Sequence, residues 1–189
     1  KVRLCMTVLG IAGCTALLLI VFCIRDSIST IATLHFDDLY QYQDIVTMKD
    51  KLPQAEIDSC RAGVQAQPGV QDTAVMYVKS TQTRGQNGDG TEVDAYITVP
   101  QQSEAMSQWI RLRDVETKDP LSLKAGGAVI TDKMAETLGL APGDMLEIKT
   151  DDGWRQIPVA AVAAHYLNHY VYLCQEHYEP VFGQPPAHH

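Results

Sequence analysis

The chain opens on one continuous apolar run and then breaks into short alternating segments. Leu4 to Ile24 contains no charged residue. As a helix it spans roughly 30 Å, the thickness of a bilayer's hydrocarbon core. A secretory signal has an apolar region of only about 7 to 15 residues followed by a small-x-small cleavage site. Phe22-Cys23-Ile24-Arg25-Asp26 offers no such site, so the run reads as a transmembrane helix. Lys1 and Arg3 precede it, and the positive-inside bias puts the N-terminus in the cytoplasm and all that follows Ile24 outside. The apolar positions then narrow to one side at Ile24, Ile28, Ile31 and Leu34 or His35, which predicts an amphipathic stalk. Gly10, Ala12, Gly13 and Ala16 lie on neighbouring turns, and Ala12 to Ala16 is a small-xxx-small pair that admits a second helix.

The remainder is predicted to be α+β. A strand is expected over Tyr42 to Lys49, and a helix with Pro53 in its first turn, Ile57, Cys60 and Val64 on one face, and a stop at Pro68-Gly69. Val70 to Thr83 and Glu92 to Val99 read as strands joined through the Asn-Gly and Asp-Gly chemistry of Arg84 to Gly90. Ser103 to Gln108 reads as a short helical link, Trp109 to Arg113 as a brief strand and Asp114 to Lys124 as loop. Gly126 to Ile130 predicts a buried strand, with Thr131 capping a helix through Leu138 and Gly139 as its left-handed stop. Met145 to Thr150 and Trp154 to Ala164 read as strands around Asp152-Gly153, and Pro158 predicts an edge position or a bulge. A short helical piece is expected at Gln175 to Tyr178, and Gly183 to Pro186 ends the pattern.

Composition narrows the function. The sequence has 15 Lys and Arg against 23 Asp and Glu, a net charge of −8, and no basic stripe, which speaks against nucleic acid as a partner. Of five cysteines, Cys5, Cys14 and Cys23 fall in the apolar run. Cys60 and Cys174 are too few for a disulfide framework; they read as free thiols, with a single bridge as the alternative.

Three constellations bear on chemistry. His165 and His169 have the i, i+4 spacing of a helical Zn²⁺ pair, with His177, Asp37 and Asp38 as further ligands. The β-rich residues around them argue against a helix there, so no metal site is expected. Gly139 to Asp144 lacks the Lys-Ser/Thr and the helix N-terminus of a phosphate loop and reads as a structural turn. No nucleophile elbow or comparable arrangement is present, so no catalytic residue and no cofactor site is assigned. Trp109, Trp154, Tyr166, Tyr170 and Tyr172 read as packing in the core or at a membrane interface, with a peptide or lipid contact surface as the alternative.

Two stretches carry a family resemblance. MTVLGIAGCTALLL followed by IRDSI at Ile24 to Ile28 resembles the first transmembrane helix and exit stalk of FtsX-like, MacB-type ABC transporter permeases. GGAVITDKMAETLGLAPGDMLEI, Gly126 to Ile148, is similar to the part of their extracytoplasmic domains that leads into a Leu-Gly-Leu-x-x-Gly-Asp turn. Tyr166 to Leu173 and Tyr178 to Gly183 resemble the return toward the next membrane helix. The resemblance implies a transmembrane helix and stalk at 1–36, an α+β porter-like lobe from 37–107 with 165–189, and a small β-rich lobe inserted at 108–164. It further implies a fragment of a longer permease, working with a cytoplasmic ABC ATPase subunit and a second permease copy. The outer domain would turn helix motion into work on a substrate, protein or peptide outside the membrane. The alternative is a single-pass anchored extracellular ligand-binding or sensor module.

Overall fold

The computed structural model describes residues 2–33, 38–48, 52–86, 90–123, 126–165, 167–183 and 185–186, the side chains of residues 4, 31 and 32 excepted. The expectations for Leu34, His35, Asp37, Lys49, Asn87 to Asp89, Lys124 and Tyr166 lie outside these residues.

Helix α1 runs unbroken over Val2–Thr33, 32 residues and therefore roughly 48 Å. Within it Cys5–Thr30 is long and apolar enough to cross a membrane, and none of it is buried by the rest of the chain. Thr7 and Thr15 turn their hydroxyls back to the carbonyls of Arg3 and Ile11 at 3.0 and 2.9 Å, which removes two polar groups from the helix surface. Helix α2 is Gln54–Gln65 and buries Ile57 as expected. Arg61 on its far turn ties it to Thr73, donating to the hydroxyl at 3.2 Å and to the carbonyl at 3.1 Å.

The strands are β1 (Met76–Gly85), β2 (Glu92–Pro100), β3 (Ala128–Thr131), β4 (Met145–Thr150), β5 (Gly153–Ala163) and β6 (Tyr170–Tyr172). They close into one barrel in the order β1-β2-β6-β3-β5-β4. Helix α3 (Asp132–Leu138) links β3 to β4, and helix α4 (Gln175–Phe182) follows β6. Segments 37–107 with 165–189 and 108–164 contribute three neighbouring strands each. The antiparallel pairs β6–β3 and β1–β4 join these two arcs, so the expected lobes share one sheet rather than standing apart.

Two cores result. Inside the barrel, Ile97, Val99, Ile130, Leu146, Ile148, Val159 and Val171 meet, and Met134 and Leu138 of α3 and Tyr178 of α4 extend that core. Outside it, the reverse faces of β3, β5 and β6 present Val129, Ala161, Ala163 and Tyr172, covered by Leu39, Met106, Ile110, Leu112 and Leu123. The switch between the two cores along β5 comes from a bulge. Ala128 faces Val159 but Val129 faces Ala161, so Ala160 is the extra residue. Ile157 and Val159 point inward before it and Val162 after it, a change of parity that a regular strand cannot make. Pro158 stands two residues before Ala160, on an interior strand, so of the two expectations for it the bulge applies and the edge does not. Gly127 is required opposite, where a Cβ would lie 2.4 Å from the Pro158 carbonyl oxygen.

Three local expectations are corrected. Tyr42 to Met48 forms no strand; only Tyr40 bridges Ile110. Ile45 and Val46 are adjacent rather than alternating, so neither face has a set to bury, and both are exposed. Trp109 to Arg113 is likewise reduced to isolated bridges at Ile110 and Arg113. Thr131 stands before α3, but its side chain makes no cap; its hydroxyl accepts from the Tyr170 amide at 3.4 Å instead. Gly139 ends the helix at φ 62°, ψ 38° as expected.

Candidate functional site

The most concentrated chemistry lies at the rim of the outer core. Alternation along β6 sends Val171 into the barrel and Tyr170 and Tyr172 outward, where their rings stack 5.7 Å apart. Parallel pairing of β2 with β6 sets Tyr96 opposite Tyr170, with rings 5.4 Å apart and the Tyr96 amide donating to the His169 carbonyl at 2.8 Å. The β5–β6 connection turns at Asn168, whose φ of 60° lies in the left-handed region that Asn tolerates. That turn places the His165 ring 4.8 Å from Tyr170.

The fourth side of the site comes from the other end of the chain. Segment 39–41 runs antiparallel to 109–111: Gln41 donates to the Trp109 carbonyl at 2.8 Å and Arg111 to the Leu39 carbonyl at 2.9 Å. Leu39 is thereby buried in the outer core, and Asp38 pairs with Arg113 at 3.4 Å. Tyr40 and Tyr172 both bring their hydroxyls to 3.2 Å from His165 Nε2. That nitrogen accepts from a phenol when unprotonated and donates to one when it carries the proton. His165 is only 3% exposed, so these contacts replace solvent for a ring that water would otherwise satisfy. Tyr42 packs on Tyr40 with ring centroids 5.1 Å apart and leads the cluster toward the surface.

Three of the phenols are held in their neutral form. Burial, followed by the neighbouring Tyr170 and Tyr42, pushes the Tyr40 phenol far above its ordinary range. Burial does the same to Tyr172, with Tyr40 as the next cause, and burial also raises Tyr42. The phenols therefore stay uncharged and act through ring faces and hydroxyls.

The histidine pair considered for metal is not assembled as such. His165 and His169 lie in the β5–β6 connection rather than on a helix. His177 sits on α4 with Nδ1 2.7 Å from Cys174 Sγ, and Asp38 faces Arg113. Among the described residues no three His, Cys, Asp or Glu side chains group as metal ligands. Cys60 and Cys174 are both free thiols. The turn at Leu140 to Asp144 is internal: Asp144 accepts from the Ala141 amide at 2.8 Å, and Gly143 donates to the Val159 carbonyl at 2.8 Å. Of the five aromatics singled out from sequence, Tyr170 and Tyr172 join the site and Trp109 lies in the outer core. Trp154 instead stacks under the Arg84 guanidinium 4.1 Å away, on β5. Tyr40, Tyr42 and Tyr96 were not singled out. The Tyr40-x-Tyr42 spacing, which like Tyr170-x-Tyr172 puts two rings on one face of an extended chain, is the signal that could have found the first two; it does not reach Tyr96.

No family model matches the chain, and no curated protein matches it. Among solved structures it is similar to the extracellular domain of the ABC-type transporter YknZ from Gram-positive bacteria, at 18% identity and a TM-score of 0.43, covering 68% of this chain and 67% of that one.

Proposed function

We propose that the chain is the first membrane helix and extracytoplasmic domain of an FtsX-like, MacB-type ABC transporter permease, a mechanical and binding element without catalysis of its own. The observation that carries this reading is α1. It is an uninterrupted helix with its apolar side chains exposed, separated by four residues from a segment stitched onto the barrel through Leu39, Tyr40 and Gln41. A continuous helix transmits displacement along its axis, whereas a flexible linker absorbs it. The order of motifs from MTVLGIAG through LGLAPGD supports the family. In this reading Lys1 and Arg3 hold the N-terminus on the cytoplasmic side. The partners are a cytoplasmic ABC ATPase, reached through further parts of the permease, and a second permease copy. Outside the membrane the barrel works on a protein or peptide.

The test is co-purification of the intact permease with its ATPase, followed by ATP turnover in variants of the outer domain at Gly143 and Asp144. Association, with turnover that responds to those variants, is expected. Absence of any ATPase association overturns the permease and leaves a single-pass binding module.

A further inference from the structure

Outside α1, the large apolar side chains that stand exposed among the described residues are Ile45 (73%), Val46 (59%), Val78 (54%), Leu167 (45%) and Tyr96 (40%). Four of these five pack on the tyrosine and histidine cluster or lie within a few residues of it in sequence. Ile45 and Val46 follow Tyr42 by three and four residues, Leu167 lies between His165 and Tyr170 in sequence, and Tyr96 packs at a tilt against Tyr170. The exposed apolar side chains outside α1 thus fall mostly in the segment that arrives from α1 and in the strand and turn that carry Tyr96 and Tyr170.

Chain length says what can cover them. Five Cα steps separate Thr33 from Asp38, a reach of at most about 18 Å. The last turns of α1 beyond the charged pair Arg25-Asp26 rise only about 12 Å above the interface that pair marks. The reach exceeds the rise, so the segment after Thr33 can bring Tyr42 and its neighbours back to the level of the lipid headgroups. Tyrosine rings and aliphatic side chains are the groups that settle at that depth.

We propose that the patch formed by Tyr42, Ile45, Val46, Tyr96 and Leu167 docks the barrel onto the bilayer interface beside the emerging α1. The proposal rests on α1 spanning the membrane. Asp44 stands between Tyr42 and Ile45, and Asp94 precedes Tyr96 by two residues on the same side of β2. The patch therefore suits zwitterionic lipid and gains nothing from an anionic surface.

The test places single tryptophans in the full chain in phosphatidylcholine vesicles that carry brominated acyl chains. In a Trp109→Phe, Trp154→Phe background, Leu167→Trp and Val46→Trp each report on the patch; Tyr96→Trp is a third reporter that keeps a ring on Tyr170. The Trp109→Phe protein, with Trp154 alone, reports on the wall away from it. Quenching at 167, 46 and 96 at least about twofold stronger than at Trp154 is expected, as interfacial residence requires. Replacing a third of the lipid with phosphatidylserine is expected not to increase it. Equal quenching at all positions, in a chain that stays with the vesicles through an alkaline wash, overturns the docking surface while leaving the membrane helix intact. Release of the chain in that wash overturns the membrane helix itself.

Discussion

The two cores of the barrel are built by opposite rules. The inner one is closed on all sides by strands and by α3 and α4, and its fully buried members are almost wholly aliphatic or thioether, with Tyr178 at one end. The outer one is a lid of irregular chain laid over β3, β5 and β6, and at its rim the apolar contacts give way to phenols around His165. Aliphatic packing tolerates no partner but its own shape, whereas the rim is fixed by a few directed hydrogen bonds. The inner core is thus the body of the domain. The outer core is the joint that holds the segment arriving from α1.

The contrast breaks first at Leu146, which is fully buried in the inner core. Leu146→Ala is expected to cost about 2 to 5 kcal/mol, the range for removing a Leu side chain from a packed interior. Urea unfolding should show it as a shift of the whole transition, with inner and outer probes moving together.

Next is the hinge between the cores. Gly127→Ala drives a Cβ to 2.4 Å from the Pro158 carbonyl oxygen and 3.3 Å from the Ala160 amide. Both are backbone atoms of the bulge, so relief requires moving β5, at about 1 to 3 kcal/mol. A variant that melts with wild-type stability would mean the bulge is not what separates the two faces of β5.

The outer joint gives a smaller and more local effect. Tyr40→Phe removes one of the two hydroxyls at His165 Nε2. It is expected to lose about 1 kcal/mol, the net worth of one hydrogen bond. Amide exchange should quicken at Gln41 and Arg111, which donate across the joint, while β1 and β2 keep their protection. Uniform loss of protection would show that the joint does not open locally, apart from global unfolding.

Much of this body was legible in the sequence because its signals are local. Pro53 just before α2, Gly139 and Asp152-Gly153 each act within a few residues, and β4 falls where its alternation put it, at Met145 to Thr150. The barrel order was not legible. β6 is only three residues long and pairs in parallel with β2, more than 70 positions earlier, and antiparallel with β3. Nothing in Tyr-Val-Tyr specifies those neighbours. The site was hidden for the same reason: the Tyr40–His165 contact spans 125 residues. His165 and His169 have the spacing of a helical metal pair, but the β-rich residues around them already argue against a helix, and the two lie in the β5–β6 connection. Tyr42 to Lys49 misled in the other direction, since β-branched content without alternation gives a strand no face to bury.

The smallest effect belongs to the lid's own turn, at the foot of the outer core. Asp114 accepts from the amides of Glu116 and Thr117 at 2.9 and 3.0 Å, and its neighbour Ala163 bridges it to the end of β5. The Thr117 amide first, then that of Glu116, holds its carboxyl below the usual range. A folded value below the unfolded one means the carboxylate adds stability above pH about 4, and that this stability is lost as pH falls through the lower folded value. The group is open to water, so the gain is screened to less than about 1 kcal/mol. Asp114→Asn should therefore be slightly less stable than wild type at pH 7, and the gap should close toward pH 3. The Leu146→Ala deficit, which involves no titrating group, should not close in step with it. If the Asp114→Asn gap persists unchanged into acid, the turn is held by packing of the lid rather than by its charge, and the two cores are more alike than their composition suggests.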